Sequence, residues 1–285
     1  MNYRNDILFC GQGAGFIAVE SCLGLFKALE EHNVVPGQAL TSSGSTLFCS
    51  LYYSELGINW LENFIKTNPV NNLIKFEPFH FPAYVYNNDN VKELINTYMN
   101  EKASYRVKTS ITNAKTYQNS IVNVNKDFTL SAISIPFIFK SIKILDELYN
   151  DGGLINNIPV PAMKDTDKYK HIFIYLAPPT VYLTKNMLLK YILKYNDLIK
   201  IYEYVNILDD LLEFTCSIIN LLQAIMEREV KQLEEMEYFK LPNVTVFQPD
   251  SALSGELLNW SDNFELYDTF YNKCNNILNG MKGNI

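Results

Sequence analysis

A serine set among small residues is the first group in this chain that could do covalent chemistry. Residues 39–46 read Ala-Leu-Thr-Ser-Ser-Gly-Ser-Thr and lead into a second apolar run at 47–56. On a sharp strand-to-helix turn such a serine is exposed as a nucleophile, and the free N–H groups of the new helix face the reaction centre. Ser42 fits the elbow spacing, with Gly44 two places on, whereas Ser43 has Ser45 there. The octet also reads as an ordinary polar loop. A serine nucleophile needs a base. Asp151, followed by Gly152 and Gly153, precedes a stretch that Pro159 and Pro161 keep irregular. A carboxylate held there could take the serine proton, or simply satisfy backbone donors of a turn. Gly11-Gln12-Gly13-Ala14-Gly15 follows a short apolar run. Its N–H groups could stabilise an oxyanion or a pyrophosphate, or the segment could be a tight strand-to-helix turn with no ligand. A dinucleotide loop needs glycine where Phe16 stands, and the acidic residue expected about 20 positions on at a strand end is missing.

The histidines, His32, His80 and His171, are scattered. His171 would complete a serine–aspartate–histidine order, but it begins the apolar run 171–177 and reads as a structural residue at a strand end, while His80 in its loop reads as structural or exposed. No Cys/His cluster suggests a metal. Cys10, Cys22, Cys49, Cys216 and Cys274 are odd in number and set mostly in apolar segments, which predicts free buried thiols.

Elements must position these groups. Residues 6–10 read as a buried strand running into the glycine turn. Leu23, Phe26, Ala28 and Leu29 mark a helix. Trp60, Leu61, Phe64 and Ile65 form one helical face, and Val91, Leu94, Ile95 and Tyr98 another. Residues 106–116 alternate as a strand, with a hairpin partner at 120–125. From 184 to 239 the chain reads as two or three long helices, with Leu188, Ile192, Tyr195, Ile199, Tyr202 and Val205 at helical spacing. Residues 211–226 are apolar nearly all round, which predicts a buried helix or, functionally, a lid or membrane-docking surface. That 16-residue window contains Glu213 and is too short to span a bilayer. With no basic, apolar leader at the start, the expected location is cytoplasmic or peripheral to a membrane. A 285-residue chain with 48% hydrophobic and 19% charged residues can bury a large core. Its net charge of −7 argues against a nucleic-acid partner.

In their order and context the three motifs resemble the patatin-like phospholipase family. That family has a glycine-rich oxyanion loop, a Gly-x-Ser-x-Gly elbow and a distant Asp-Gly-Gly/Ala. Residues 151–160, DGGLINNIPV, are close to its DGG-x-x-x-N-x-P-V segment. Residues 131–139 resemble its upstream alanine/serine-proline-phenylalanine segment, and residues 25–31 its first helix. The resemblance covers residues 6–180 and continues to a strand at 244–249 and a helix at 264–278. It implies an α/β fold, a three-layer α/β/α sandwich with a mostly parallel central sheet and a helical C-terminal elaboration. The chain would be a single domain, 1–285, with core 6–180, helices 184–240 and a closing strand and helix 243–280. It also implies a dyad of Ser42 and Asp151, with Gly152 and Gly153 as motif support, and no metal or cofactor. Gly11, Gln12, Gly13, Ala14 and Gly15 would form the oxyanion hole, and Leu40 and Gly44 would flank the elbow. The reaction would be ester cleavage of a phospholipid or related acyl lipid through an acyl-Ser42 intermediate, with transient membrane contact. Two residues depart from the pattern. Leu40 stands where the family has glycine, so either its neighbours make room or the elbow is distorted. Gln12 replaces the loop's middle glycine, and the basic residue after the loop is absent. Those departures favour the alternative, a catalytically impaired lipid- or partner-binding protein.

Overall fold

The computed structural model describes residues 2–77, 80, 83–84, 86–178, 205–249 and 264–281. Residues 7–10 are apolar on both sides, the signature of a strand covered on both faces, and they form the middle of β1 (Arg4–Gly11). Next come α1 (Gly15–Glu31), β2 (Pro36–Thr41), α2 (Ser43–Leu51) and α3 (Ile58–Thr67). A two-strand ribbon, β3 (Lys75–Phe76) with β4 (Tyr86–Asn87), leads to α4 (Asp89–Tyr98). Then follow β5 (Val107–Asn113), β6 (Asn119–Asn123), α5 (Lys126–Ala132), β7 (Ile142–Ile144), β8 (Glu147–Asp151) and β9 (His171–Tyr175). The last described elements are α6 (Val205–Glu235), β10 (Val244–Phe247) and α7 (Glu265–Gly280).

Strands β10, β9, β1, β2 and β5 run parallel in that order. The hairpin expected between residues 106 and 125 is present as β5 and β6, paired antiparallel. Strand β8 is antiparallel to β5 and carries β7 on its other side. The sheet has a helical layer on each face. Ile7 and Phe9 point into one core with Phe26 of α1, Phe48 of α2 and Phe270 of α7. Leu8 and Cys10 point into the other with Ile172 and Ile174, covered by Val230 and Leu233 of α6 and by Tyr238. This alternation is the period-two geometry of a strand. The fold is thus mixed α/β with a mostly parallel central sheet, consistent with the expected α/β/α sandwich.

Helix α1 begins at Gly15, well before the amphipathic stretch that marks it in the sequence. Residues 16–26 are all buried, so they carry no polar stripe to announce a helix. Asp151 ends a strand rather than sitting inside a free turn. Leu188, Ile192, Tyr195, Ile199 and Tyr202 lie outside the described residues, and 205–235 is one helix. All five cysteines are buried free thiols. No helix among the described residues is long and apolar enough to cross a membrane.

Candidate active site

Strand β5 acts as the ruler that brings the site together. Its first half pairs with β2, with Thr41 opposite Thr109, and its second half pairs with β8, with Ile111 opposite Asp151. Strand β6 overlaps both pairings, so β2 and β8 must share the opposite edge and meet end to end. Their last residues are two β5 positions apart, about 7 Å. The chain leaves β2 at this junction, so whatever follows Thr41 lies beside Asp151.

Ser42 follows in an extended conformation, φ −134° and ψ 149°. Ser43 has φ 48°, the left-handed region. A non-glycine residue is held there only when its surroundings fix it, at a cost of roughly 1–3 kcal/mol. Here the surroundings do so. Ser45 Oγ lies 2.8 Å from both Gly11 O and Ser42 O. Thr46 Oγ1 reaches Thr109 Oγ1 at 2.7 Å and donates to Thr41 Oγ1 at 3.0 Å, and Thr41 Oγ1 donates to Lys108 O. This hydroxyl chain ties β2, α2 and β5 together under the turn. A side chain on Gly44 would overlap the Gly15 carbonyl, so only glycine allows α2 to start against α1.

The strained residue of the elbow is Ser43, and its hydroxyl is near enough to the Asp151 carboxylate to favour the charged form. Ser42 Oγ is buried without a hydrogen-bond partner. It stays close by: a Cβ placed on Gly153 would lie 3.2 Å from Ser42 Oγ and 3.1 Å from Asp151 Oδ1. Of the two serines, only Ser43 opens onto the apolar slot beside the elbow, which is lined by Phe16, Leu47, Ile74, Ile135 and Phe139.

Moving the elbow by one place also answers the question of Leu40. The close-packed position two before the strained serine belongs to Thr41, fully buried. Leu40 points to the opposite face of the sheet and packs with Leu8, Cys10 and Ile158, so neither accommodation nor distortion at the elbow arises. Leu40→Gly is therefore expected to lower stability by about 2 kcal/mol in urea denaturation through lost packing, and to leave the geometry at Ser43 intact.

Asp151 is 3% exposed, and burial pushes its carboxyl up to about 7. The Ser43 hydroxyl and the Gly153 N–H, which donates to Oδ1 at 2.8 Å, act in the other direction but are outweighed. The Asp151 N–H donates to Ser134 O, so the 131–139 segment braces the strand end. Ile135 and Phe139 of that segment also line the slot.

The loop at 11–15 lies directly over the elbow. Gly13 is required there, because a Cβ would sit 2.6 Å from the Ser43 Cβ. Within the loop, some N–H groups already have acceptors. Gly11 ends β1 and is paired with both β2 and β9. The Gln12 N–H donates to Tyr175 O and the Gly13 N–H to Asn157 O. Ala14 and Gly15, at the start of α1, carry the N–H groups that a helix leaves without an intrahelical partner. Gln12 acts as a tether. Its buried Oε1 accepts from the Ala177 N–H at 2.6 Å and ties the loop to the chain leaving β9.

Asn157, which stands at the asparagine of the DGG-x-x-x-N-x-P-V segment, lies against the loop at 11–15. Its Nδ2 donates to Gly13 O at 2.9 Å while its carbonyl accepts from Gly13 N–H. Glu229 of α6 accepts from the N–H groups of Asn157 and Ile158 at 2.7 and 3.0 Å. His171 pairs with Ile7, at the far end of the strand whose near end pairs with Gly11. Four residues of strand, about 13 Å, separate it from the elbow. His80 lies beside Glu77 with about half its side chain exposed.

No family model and no curated protein matches the chain. Among solved structures it is similar to VipD from Legionella pneumophila, with a TM-score of 0.54 and 11% identity. The match covers 96% of this chain and 66% of VipD, so the chain spans slightly under two thirds of that protein's length. At that identity the likeness is one of fold. It supports a patatin-like α/β/α arrangement.

Proposed function

We propose that this chain is a serine acyl hydrolase in which Ser43 is the nucleophile and Asp151 the general base. The observation that carries the reading is the strained Ser43, set beside a buried carboxylate and opening onto a mostly apolar slot. Asp151 takes the Ser43 proton as Oγ attacks an ester carbonyl carbon, and the carbonyl oxygen becomes an oxyanion. In this reading the N–H groups of Ala14 and Gly15, with that of Gly44 after the nucleophile, receive it. Collapse breaks the ester bond, and the protonated Asp151 returns its proton to the leaving alcohol. Water, deprotonated by Asp151, then releases the acid and regenerates Ser43. The slot is mostly apolar, with Asn88 in its wall, and at about 30 Å³ it takes only the end of an acyl group as it stands.

The second reading is a catalytically impaired patatin-like protein that binds lipid or a partner. The occupied N–H groups of Gln12 and Gly13 favour it. A fluorophosphonate probe, with the modified peptide located by mass, separates the two. Labelling at Ser43 with release of fatty acid from phospholipid vesicles supports the hydrolase. Absence of both, in vesicles and in detergent micelles, selects the binding protein.

A further inference from the structure

We infer that Glu229 is a positioning residue, which fixes the loop over Ser43 from helix α6, 72 residues beyond Asn157 in the chain. The inference rests on the hydrolase reading for its activity arm and on hydrogen bonding for the rest. Glu229 is 9% exposed in a helix whose neighbouring acidic residues are solvent-facing. A single oxygen, Oε2, accepts two backbone N–H groups, those of Asn157 and Ile158. Asn157 then grips Gly13 twice, once through each of its amides. Gly13 in turn packs against the Ser43 Cβ and precedes Ala14 and Gly15, the remaining donors for an oxyanion. Residues 156–158 join no strand or helix, so Asn157 and Ile158 have no ladder to take their N–H groups. Without Glu229 both donors are stranded in a buried place, where each unsatisfied group is costly. The turn would move to rehydrate them and carry Gly13 with it. Burial raises the Glu229 carboxyl to about 7, and the same two N–H groups partly restrain it. The geometry, an acceptor at two donors, is what matters for positioning. A neutral glutamine oxygen could serve.

Glu229→Ala and Glu229→Gln in the full chain, compared at equal folded fraction, test this. The alanine variant is expected to lose about tenfold or more in kcat with KM changed by less than about threefold, and glutamine to recover kcat to within about threefold. Unchanged kcat in the alanine variant, or equal losses in both, overturns the inference. Should wild type itself hydrolyse no ester and take no fluorophosphonate, the hydrolase reading fails separately. Hydrogen exchange then decides the clamp. Faster exchange at residues 11–16 in Glu229→Ala but not in Glu229→Gln sustains it, and unchanged exchange there removes it.

Discussion

Replacing Ser43 with alanine is expected to lower kcat/KM by ~10³-fold or more, whereas Ser42→Ala keeps activity within about tenfold. The two serines are adjacent and both buried, so composition and burial do not separate them. Backbone conformation does. Ser43, at φ 48°, is turned toward the slot and Asp151, while Ser42 continues the extended path of β2 as the N-cap residue of α2. Removing the Ser42 hydroxyl leaves the attacking oxygen in place. Removing the attacking oxygen eliminates the covalent route. Steady-state hydrolysis of a soluble acyl ester by the two variants, with circular dichroism to establish folding, measures the contrast. Equal loss in both, or loss confined to Ser42→Ala, would return the nucleophile to Ser42.

Asp151→Asn is expected to lower activity by ~10²–10⁴-fold and at the same time to stabilise the protein above neutral pH. The sign follows from the raised carboxyl. In the folded chain it titrates at about 7, against about 3.9 when exposed in the unfolded chain. Between those values the folded state holds the extra proton, so stability is lost as pH rises through about 7. A shift of that size corresponds to at most about 4 kcal/mol. Asparagine keeps an acceptor for the Gly153 N–H and carries no charge to desolvate. A gain of about 2 kcal/mol, roughly 4 °C in Tm, is expected at pH 8, shrinking to nothing near pH 4. The wild-type rate should climb with pH and level off above about 7, as the base is freed of its proton. A pH-independent rate from 5 to 8, or an Asp151→Asn variant less stable at pH 8, would contradict this account.

Much of the site can be read along the chain because close approach restricts residue type locally. Gly44 is where one backbone lies against another, and Gly13 is where side chains of Asn157 and Ser43 crowd the loop; such positions announce themselves as glycine whatever the rest of the fold does. The continuous apolar strands and the hairpin at β5 and β6 are legible for a similar reason: burial on one or both faces leaves a periodic trace. The first half of helix α1 is hidden in the sequence because burial on all sides erases that trace.

Longer-range structure decides the rest. Two adjacent serines differ only in φ, and φ at residue 43 follows from where β2 stops against Thr109 and where α2 starts against Gly15. Leu40 reads as an obstruction along the chain because its face of the sheet depends on that same register, and one step in a strand reverses the side. The meeting of β2 with β8 along one edge of β5 brings Asp151 to the elbow across more than a hundred residues. Glu229 carries no signal in the sequence, lying in a charged helical stretch where only packing of α6 on the sheet makes one carboxylate buried and bonded. Residue type is a local property and is visible in the sequence by itself. Which serine is strained, which carboxylate is desolvated and which N–H is free are properties of pairing and burial, and those exist only in the folded chain.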